Sequence, residues 1–401
     1  MKYDITIIGA GIVGLATAFQ LSEQRPGIKL CIIDKEAGVA HHQTGHNSGV
    51  IHSGIYYRPG GSKALNCQRG YRYLLDFCDQ YQVPYEICGK VIVATQKEEL
   101  PRLDKILETG RANGMEGIRI LSKEETLEKE PHVRAVRSIW VPQAGIVHYR
   151  QVAETYWREL QNRGTKGYFQ AKVTTIEQRP DELIIHTTQG SIQTQRLITC
   201  GGLYSDKLIQ MTQDWDDVHV LPFRGEYYEL VPEKQHLVNN LIYPIPNPDF
   251  PFLGVHYTRM IKGGIEAGPN AVLAFRREGY SRWDIHLPEL WETLSFPGFQ
   301  KIAVRYWRDG LGEMVRSYSK RAFVKALQHL IPEVGMDDLR RGNAGVRAMA
   351  CDHHGNLIDD FLIVEQDNRI IHVGNAPSPA ATASLAIGET VANKALAQMS
   401  A

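Results

Sequence analysis

The stretch that most constrains this chain is GAGIVG, Gly9 to Gly14. It follows an apolar, β-branched run from Tyr3 to Ile8 with the length of a buried strand. Apolar residues then recur at helical spacing through Ile12, Val13, Leu15, Ala16, Phe19 and Leu21. Pro26-Gly27 breaks the chain, Lys29 to Ile33 reads as a second strand, and Asp34 ends it. A strand, a glycine turn, a helix and a strand closed by a carboxylate form the dinucleotide-binding fingerprint. Gly9 allows the tight turn, Gly11 lets a pyrophosphate approach the backbone, and Gly14 lets the helix pack on the sheet. The free N–H groups and positive end of the helix favour phosphate. Asp34 can accept both ribose hydroxyls. A Gly-rich turn in an unrelated α/β protein would leave that carboxylate unexplained.

The remaining composition narrows the class. With 401 residues the chain can bury two ordinary domains. Lys and Arg (45) balance Asp and Glu (45), so no basic surplus points to nucleic acid. No run of eighteen apolar residues suggests a membrane span. The N-terminus enters the first strand at once, which argues against a cleaved leader and for a cytoplasmic protein. The six cysteines show neither CxxC nor metal spacing, and no HxH or HExxH occurs, so no metal is expected. They read as reduced, mostly buried thiols.

Further along, residues 36 to 61 are rich in Gly, His and Ser, too irregular for a helix and long enough to be functional. Helices are expected over 62–82, 100–112, 149–163 and most of 299–331, with a short one after Ser122 as its cap. Strands are expected at 90–94, 172–178, 182–187 and 196–200. Residues 218 to 340 differ in style, with strands at 220–230, 239–243, 254–259 and 271–275 joined by Pro- and Gly-rich turns. Strand patterns resume at 359–364 and 370–373, and a closing helix spans 380–399. The inferred fold class is α/β: a Rossmann-like nucleotide-binding domain (1–85, 145–217 and 341–401) interrupted by an α+β domain on a mostly antiparallel sheet (86–144 and 218–340).

Longer strings carry a resemblance. The N-terminal GAGIVG, the loop TGHNSGVIHSGIYY (44–57), a strand ending in Gly201-Gly202 and a C-terminal segment with Gly374 together resemble the FAD-dependent D-amino-acid oxidase and glycine oxidase superfamily. Within it, PFRGEYYEL (222–230), the string 242–260, GPNAVLAFRREGY (268–280), AGVRA (344–348) and NAPSPAATASLAIGE (375–389) are similar to the L-2-hydroxyglutarate dehydrogenase family. The resemblance implies FAD, oxidation of a small dicarboxylate at its hydroxyl carbon by hydride transfer, and quinone or oxygen as acceptor. Asp34 stands where many of the wider group carry Glu, which by itself leaves NAD open. The same resemblance implies pyrophosphate contacts at Gly9, Gly11, Ile12, Val13 and Gly14, and adenosine ribose contacts at Asp34 and Lys35. It places Thr44, Gly45, His46, Asn47, Ser48 and Gly49 along the isoalloxazine, Val173 at adenine, and Cys200 and Gly201 near the ribityl phosphate. Gly374, Asn375, Ala376, Pro377 and Ser378 are expected at the flavin, with the last helix aimed at the ring.

Such chemistry needs a carboxylate anchor and a base. Arginine suits the anchor because its fork binds carboxylate bidentately. Arg347, in the AGVRA turn, comes first, followed by Arg259 and Arg224 on middle-domain strands; most arginines are surface ion pairs, so each competes with that reading. For the base, His52 follows the flavin loop directly, in a position where related glycerol 3-phosphate dehydrogenases carry a similar IHGG. His256 is second, and strand alternation lets only one of His256 and Tyr257 face the pocket. A quinone acceptor would require peripheral contact with the inner face of the cell membrane. Residues 299–331 offer apolar and basic positions for it, although packing of an ordinary amphipathic helix on the sheet is the more economical reading. An amine oxidase of the same superfamily acting on a small amino acid, and a non-catalytic flavoprotein, are the competing readings.

Overall fold

The structure, a computed structural model, describes residues 2–247 and 253–400. Residues 248–252, at the centre of the 242–260 string, lie outside the described residues. Two large sheets organise the rest. The first has eight strands around the parallel series Lys166–Tyr168, Leu30–Ile33, Lys2–Ile8, Gly190–Thr199 and Ile370–Asn375. Val173–Gln178 and Leu183–Thr187 extend it through an antiparallel hairpin, and Leu362–Gln366 runs antiparallel beside Ile370–Asn375. The central strands are buried on both faces, which is why they read as continuous apolar runs. Helix Ile12–Gln24 covers one face together with Tyr149–Asn162 and Ser384–Ser400. A Cβ on Gly388 would meet the Ala16 backbone at 2.7 Å, so a glycine is what lets the last helix approach the first.

The second sheet has nine strands and is antiparallel except where Lys90–Ala94 meets Leu241–Pro244. Its order from one edge is Val272–Leu273, Val218–Leu230, Ile265–Gly268, His256–Arg259, Leu241–Pro244, Lys90–Ala94, Arg137–Val141 and Arg119–Leu121. Leu339–Asp352 pairs along Val218–Leu230 from Val218↔Asp352 to Leu230↔Leu339. The domain boundary expected at 341 therefore cuts a strand that stays hydrogen-bonded to the second sheet as far as Asp352. A small three-stranded sheet of Val50–Ile51, Gly145–Val147 and Tyr85–Glu86 lies where the chain passes between the two.

Most expected elements are present within a few residues, including the Ser122 cap, which forms a full capping box with Glu125. The closing helix begins at Ser384, not Ala380; Pro377 and Pro379 hold residues 376–383 in successive turns instead. Strands Arg119–Leu121, Arg137–Val141, Lys166–Tyr168 and Ile265–Gly268 and helix Leu287–Ser295 were not expected. Apart from the helix they are three to five residues long, too short for a period to show, and sheet pairing stabilises them. All six cysteines are free.

A buried ion pair ties the two halves. Arg277, 3 % exposed, donates to both oxygens of Asp206, 2 % exposed, at 2.6 and 2.8 Å, and also to the Leu203 carbonyl. Asp206 also accepts from Val220 N at the start of the long second-sheet strand. Asp206→Ala leaves the buried guanidinium only the Leu203 carbonyl and the 3.5 Å contact to Glu292 and is expected to cost about 3–5 kcal/mol. Urea denaturation followed by far-ultraviolet circular dichroism measures it; a loss under about 1 kcal/mol contradicts this account.

Candidate functional site

The glycines of the fingerprint are held by close backbone contacts. Gly9 has φ +109°, and a Cβ there would sit 2.3 Å from the Cys200 carbonyl oxygen. At Gly14 a Cβ would lie 2.0 Å from the Gly9 oxygen. At Gly11 it would meet only Thr44 Oγ1, at 3.5 Å, so the space before Gly11 is open. Thr44 Oγ1 accepts from Ile12 N at 2.9 Å and fixes the loop against the helix start, leaving the other first-turn N–H groups without intrahelical acceptors. Asp34 accepts from Ala10 N (2.7 Å) with one oxygen and from Glu36 N (2.9 Å) with the other. These bonds orient the carboxylate and leave each oxygen a lone pair for a ribose hydroxyl. The open cradle, the helix end and the oriented carboxylate fit a dinucleotide cofactor.

Lys35 behaves differently. Its ammonium contacts Glu36, His42 Nε2 at 2.9 Å and Glu278 at 2.8 Å, so its side chain is part of a half-buried ion-pair network. Val173 opens its strand in register with Thr187, and Cys200 N donates to Ile8 O beside the glycine turn. Gly201 follows there and precedes a short 3-10 turn, Gly202–Tyr204.

The loop after Asp34 is built from its own side chains. Asn47 Nδ2 donates to the Gln43 and Thr44 carbonyls, and its Oδ1 accepts from Gly49 N, so Asn47 shapes the loop. Gly45 is packed against the Ala40 carbonyl and Arg150, and Gly49, at φ +68°, against the Val147 carbonyl. His46 stacks on Tyr280 with centroids 4.1 Å apart and its Nδ1 lies 3.1 Å from the Ala344 carbonyl. Thr44 to Gly49 form one wall of a cleft whose other walls include His148, Arg150, Tyr227, Lys262 and Glu266. Ser48 lines that cleft as well. Burial pushes the Glu266 carboxyl up to about 7.

The C-terminal loop closes the site. Gly374 accepts from Ser205 Oγ at 2.7 Å, and buried Asn375 donates to the Ile358 and Asp360 carbonyls. Ala376, Pro377 and Ser378 then turn toward the segment that follows the 44–49 loop, where Ser378 Oγ lies 3.4 Å from His52 Nε2. Thr382 Oγ1 accepts from His52 N at 3.1 Å and is itself 2.7 Å from the buried Tyr149 hydroxyl.

His52 lies within electrostatic reach of His256 from the second sheet. His256 Nδ1 lies 3.0 Å from the Gly254 carbonyl, which can only accept, so Nδ1 carries the proton and Nε2 is left as an acceptor. Its ring packs on Tyr243 at 4.1 Å. Burial holds both imidazoles down to about 3, reinforced for His52 by Lys90 and for His256 by Arg347 and Lys90. Both rings are neutral at physiological pH and able to take a proton.

The arginines separate. Arg347 pairs in register with Phe223, so it shares that face of the sheet, and its charge reaches His256, Tyr227 and Tyr243. Arg224, the next residue on the same strand, points to the opposite face; it is 2 % exposed and bound to Glu226 and the Ser281 carbonyl. Arg259 is ion-paired with Glu86. Tyr257 alternates away from His256 into the core beneath residues 320–331, with its hydroxyl 3.4 Å from the Leu327 carbonyl. Thus the expected His52, His256 and Arg347 converge, whereas Arg224, Arg259 and Tyr257 do not. Lys90, Tyr56 and Tyr243 join them unannounced. Lys90 opens the apolar strand KVIVA and reads as its polar flank, yet it shares a face with Ile92 and Ala94 and is 2 % exposed.

Residues 4–394 match the family model described as FAD dependent oxidoreductase. The chain belongs to this family, and FAD is its cofactor. It is 54 % identical over 397 residues to L-2-hydroxyglutarate dehydrogenase of Indibacter alkaliphilus, covering 99 % of both chains. It is 44 % identical over 404 residues to a mitochondrial L-2-hydroxyglutarate dehydrogenase of Caenorhabditis elegans, covering 98 % of this chain and 93 % of that one. Among solved structures, the FAD-bound L-alpha-glycerophosphate oxidase of Mycoplasma pneumoniae superposes with a TM-score of 0.80 at 22 % identity, over 100 % of this chain and 95 % of that one. That likeness establishes the Rossmann-like FAD domain with its appended antiparallel domain.

The two inner glycines are expected to fail in different ways. Gly14→Ala forces a methyl into the Gly9 carbonyl and lowers stability by about 1–3 kcal/mol or more. Gly11→Ala folds normally but places its methyl where the pyrophosphate must approach, weakening FAD by about tenfold or more. Thermal unfolding of the flavin-free proteins, with FAD titration by fluorescence, separates them; equal flavin affinity in Gly11→Ala and the natural chain would sink the cradle assignment.

Proposed function

We propose that this FAD-dependent oxidoreductase oxidises L-2-hydroxyglutarate to 2-oxoglutarate and passes the electrons to a quinone, or else to oxygen. The observation that carries the reading is the convergence of two neutral imidazoles with the Arg347 cation beside the flavin loop, in a chain alike from end to end to relatives named for that reaction. FAD, held by the Gly9–Gly14 turn, Asp34 and the 44–49 loop, supplies a two-electron acceptor for the α-hydrogen. Arg347 holds the substrate's α-carboxylate. His52, on the flavin segment and fixed through Thr382, takes the hydroxyl proton, and His256 Nε2 accepts a hydrogen bond from the hydroxyl and orients it. The buried aromatic surroundings exclude water from the His256 imidazole.

A surface on the second domain suits a membrane-borne acceptor. Helix Trp307–Tyr318 carries Trp307, Leu311, Val315 and Tyr318, each 55–57 % exposed, in one outward stripe. Leu287 and Trp291 on Leu287–Ser295, with Trp283 before it and Val304 on Pro297–Arg305, are 72–78 % exposed. Polar residues of these helices face inward instead: Glu313 and Ser317 are 6 % and 3 % exposed. The economical expectation of an amphipathic helix with its apolar side on the sheet holds for Ile302 but fails for Trp307–Tyr318. Exposed Lys301, Arg305 and Arg308 flank the stripe, a complement to anionic headgroups. No described helix is long and apolar enough to cross a membrane, and peripheral docking of this face on a bilayer is the arrangement we propose.

Mixed without oxygen with L-2-hydroxyglutarate, the purified protein should lose its flavin absorbance rapidly, and the D-enantiomer, L-lactate and glycine should leave it unchanged. Bleaching by glycine instead would replace the hydroxy acid with an amine, and no bleaching would remove the substrate assignment. Separately, the protein should cosediment with vesicles of phosphatidylethanolamine and phosphatidylglycerol. Leu311→Glu/Val315→Glu should weaken that binding by about tenfold or more while substrate still bleaches the flavin. Equal binding by both proteins would move the membrane contact elsewhere.

A further inference from the structure

Lys90 presents an electrostatic problem that its own surroundings leave unsolved. It lies inside the second sheet, in register with Val141 on one side and Leu241 on the other, and is 2 % exposed. Its ammonium sits 4.9 Å from the Tyr56 ring centroid and 4.7 Å from that of Tyr243. Two ring faces offset only part of the desolvation of a charge. No described carboxylate is ion-paired with it, although buried ammonium groups ordinarily have such a partner. The other groups that face it supply no anion at neutral pH. His52 and His256 are neutral, and burial pushes the Cys67 thiol up to about 12 and the Tyr56 phenol higher than usual. Lys63, on the same helix as Cys67, is held by Asp359 at 2.6 Å, and Arg347 is a second positive charge that, like Lys90, acts on His256.

Two cations, Lys90 and Arg347, that act on the same imidazole, His256, are complementary to a dianion. We propose that Lys90 is the specificity-determining residue of the site and binds the distal carboxylate of the substrate, at the end opposite the carboxylate held by Arg347. The assignment rests on the proposed hydroxy-diacid reading and adds what that reading lacks, the second cation that distinguishes a five-carbon diacid from a monoacid. Tyr56 and Tyr243 position the ammonium between their rings, and an arriving carboxylate supplies the missing counter-charge. Burial lowers the Lys90 ammonium to about 8 in the free protein, so the cation is present below that pH and lost above it.

Calorimetric titration of the FAD-loaded protein with glutarate and with pentanoate tests this without turnover. The natural protein should prefer glutarate. Lys90→Met should weaken glutarate by roughly 10- to 100-fold, the range for a buried charge-assisted bond, and leave pentanoate unchanged. Lys90→Arg should restore part of the preference. Retention of the full preference in a flavin-replete Lys90→Met protein overturns the assignment. Absence of any preference in the natural protein overturns the diacid reading, and the assignment with it. Should Lys90→Met fail to fold, the natural protein still decides: glutarate affinity should fall by about tenfold per pH unit above about 8 while pentanoate affinity stays level, and parallel profiles overturn the role of Lys90.

Discussion

The long ladder between Val218–Leu230 and Leu339–Asp352 is the constraint on which the site depends. It joins segments more than a hundred residues apart and carries the chain from the second sheet back toward the first. Its register places Arg347 beside Phe223 and brings Gly345 against the 44–49 loop, where a Cβ would lie 2.4 Å from the His46 carbonyl oxygen. Gly345 is thus a docking point between the halves, as Arg277 and Asp206 are at another. A one-residue slip in this ladder would carry Arg347 to the other face of the sheet, away from His256. The same strand then leads toward Ile370–Asn375 and the loop that holds Ser378 near His52.

Around that anchor, burial sets the charge states. Imidazoles near water would be partly protonated at neutral pH, and as cations they could take no proton. Enclosed between Tyr243, the flavin segment and two positive side chains, His52 and His256 stay neutral. The cations that depress them are groups suited to carboxylates, so a bound carboxylate would offset their field and raise the proton affinity of the imidazoles. Lys90 feels the reverse: burial weakens its own proton affinity, and an incoming carboxylate strengthens it.

How far the sequence reached follows from the range of each signal. The glycine turn, its carboxylate and the first helix depend on local geometry, and they were legible residue by residue. Alternation correctly separated His256 from Tyr257, because a period of two needs only neighbouring residues. The arginines were ranked by the strings around them, and Arg347 converges on the pocket while Arg224 does not, because the face that a strand turns to a site depends on its partners. Lys90 was passed over for the same reason. A lysine at the head of KVIVA looks like a solvated flank, and only the flanking strands and Tyr56, brought in from the loop beside the flavin segment, show that it is enclosed. The ion pair of Lys35 is equally hidden from the sequence, because Glu278, which holds it, is distant along the chain.

Arg224 and the outward apolar stripe have one cause. Arg224 binds Glu226, whose other oxygen accepts from Ser317 Oγ at 2.7 Å and lies 3.4 Å from Arg282. Arg282 in turn donates to the Ser317 carbonyl, and Glu313 accepts from Ala271 N at 3.0 Å. This polar network lies beneath helix Trp307–Tyr318 and meets the hydrogen-bonding needs of its inner side, which in an ordinary surface helix would be apolar. With Glu313 and Ser317 satisfied inside, Trp307, Leu311, Val315 and Tyr318 have no core to enter and face outward. An arrangement that exposes four large apolar side chains is costly in water and becomes favourable where lipid replaces water. The arginine expected at the substrate therefore helps to support the surface proposed to meet the electron acceptor.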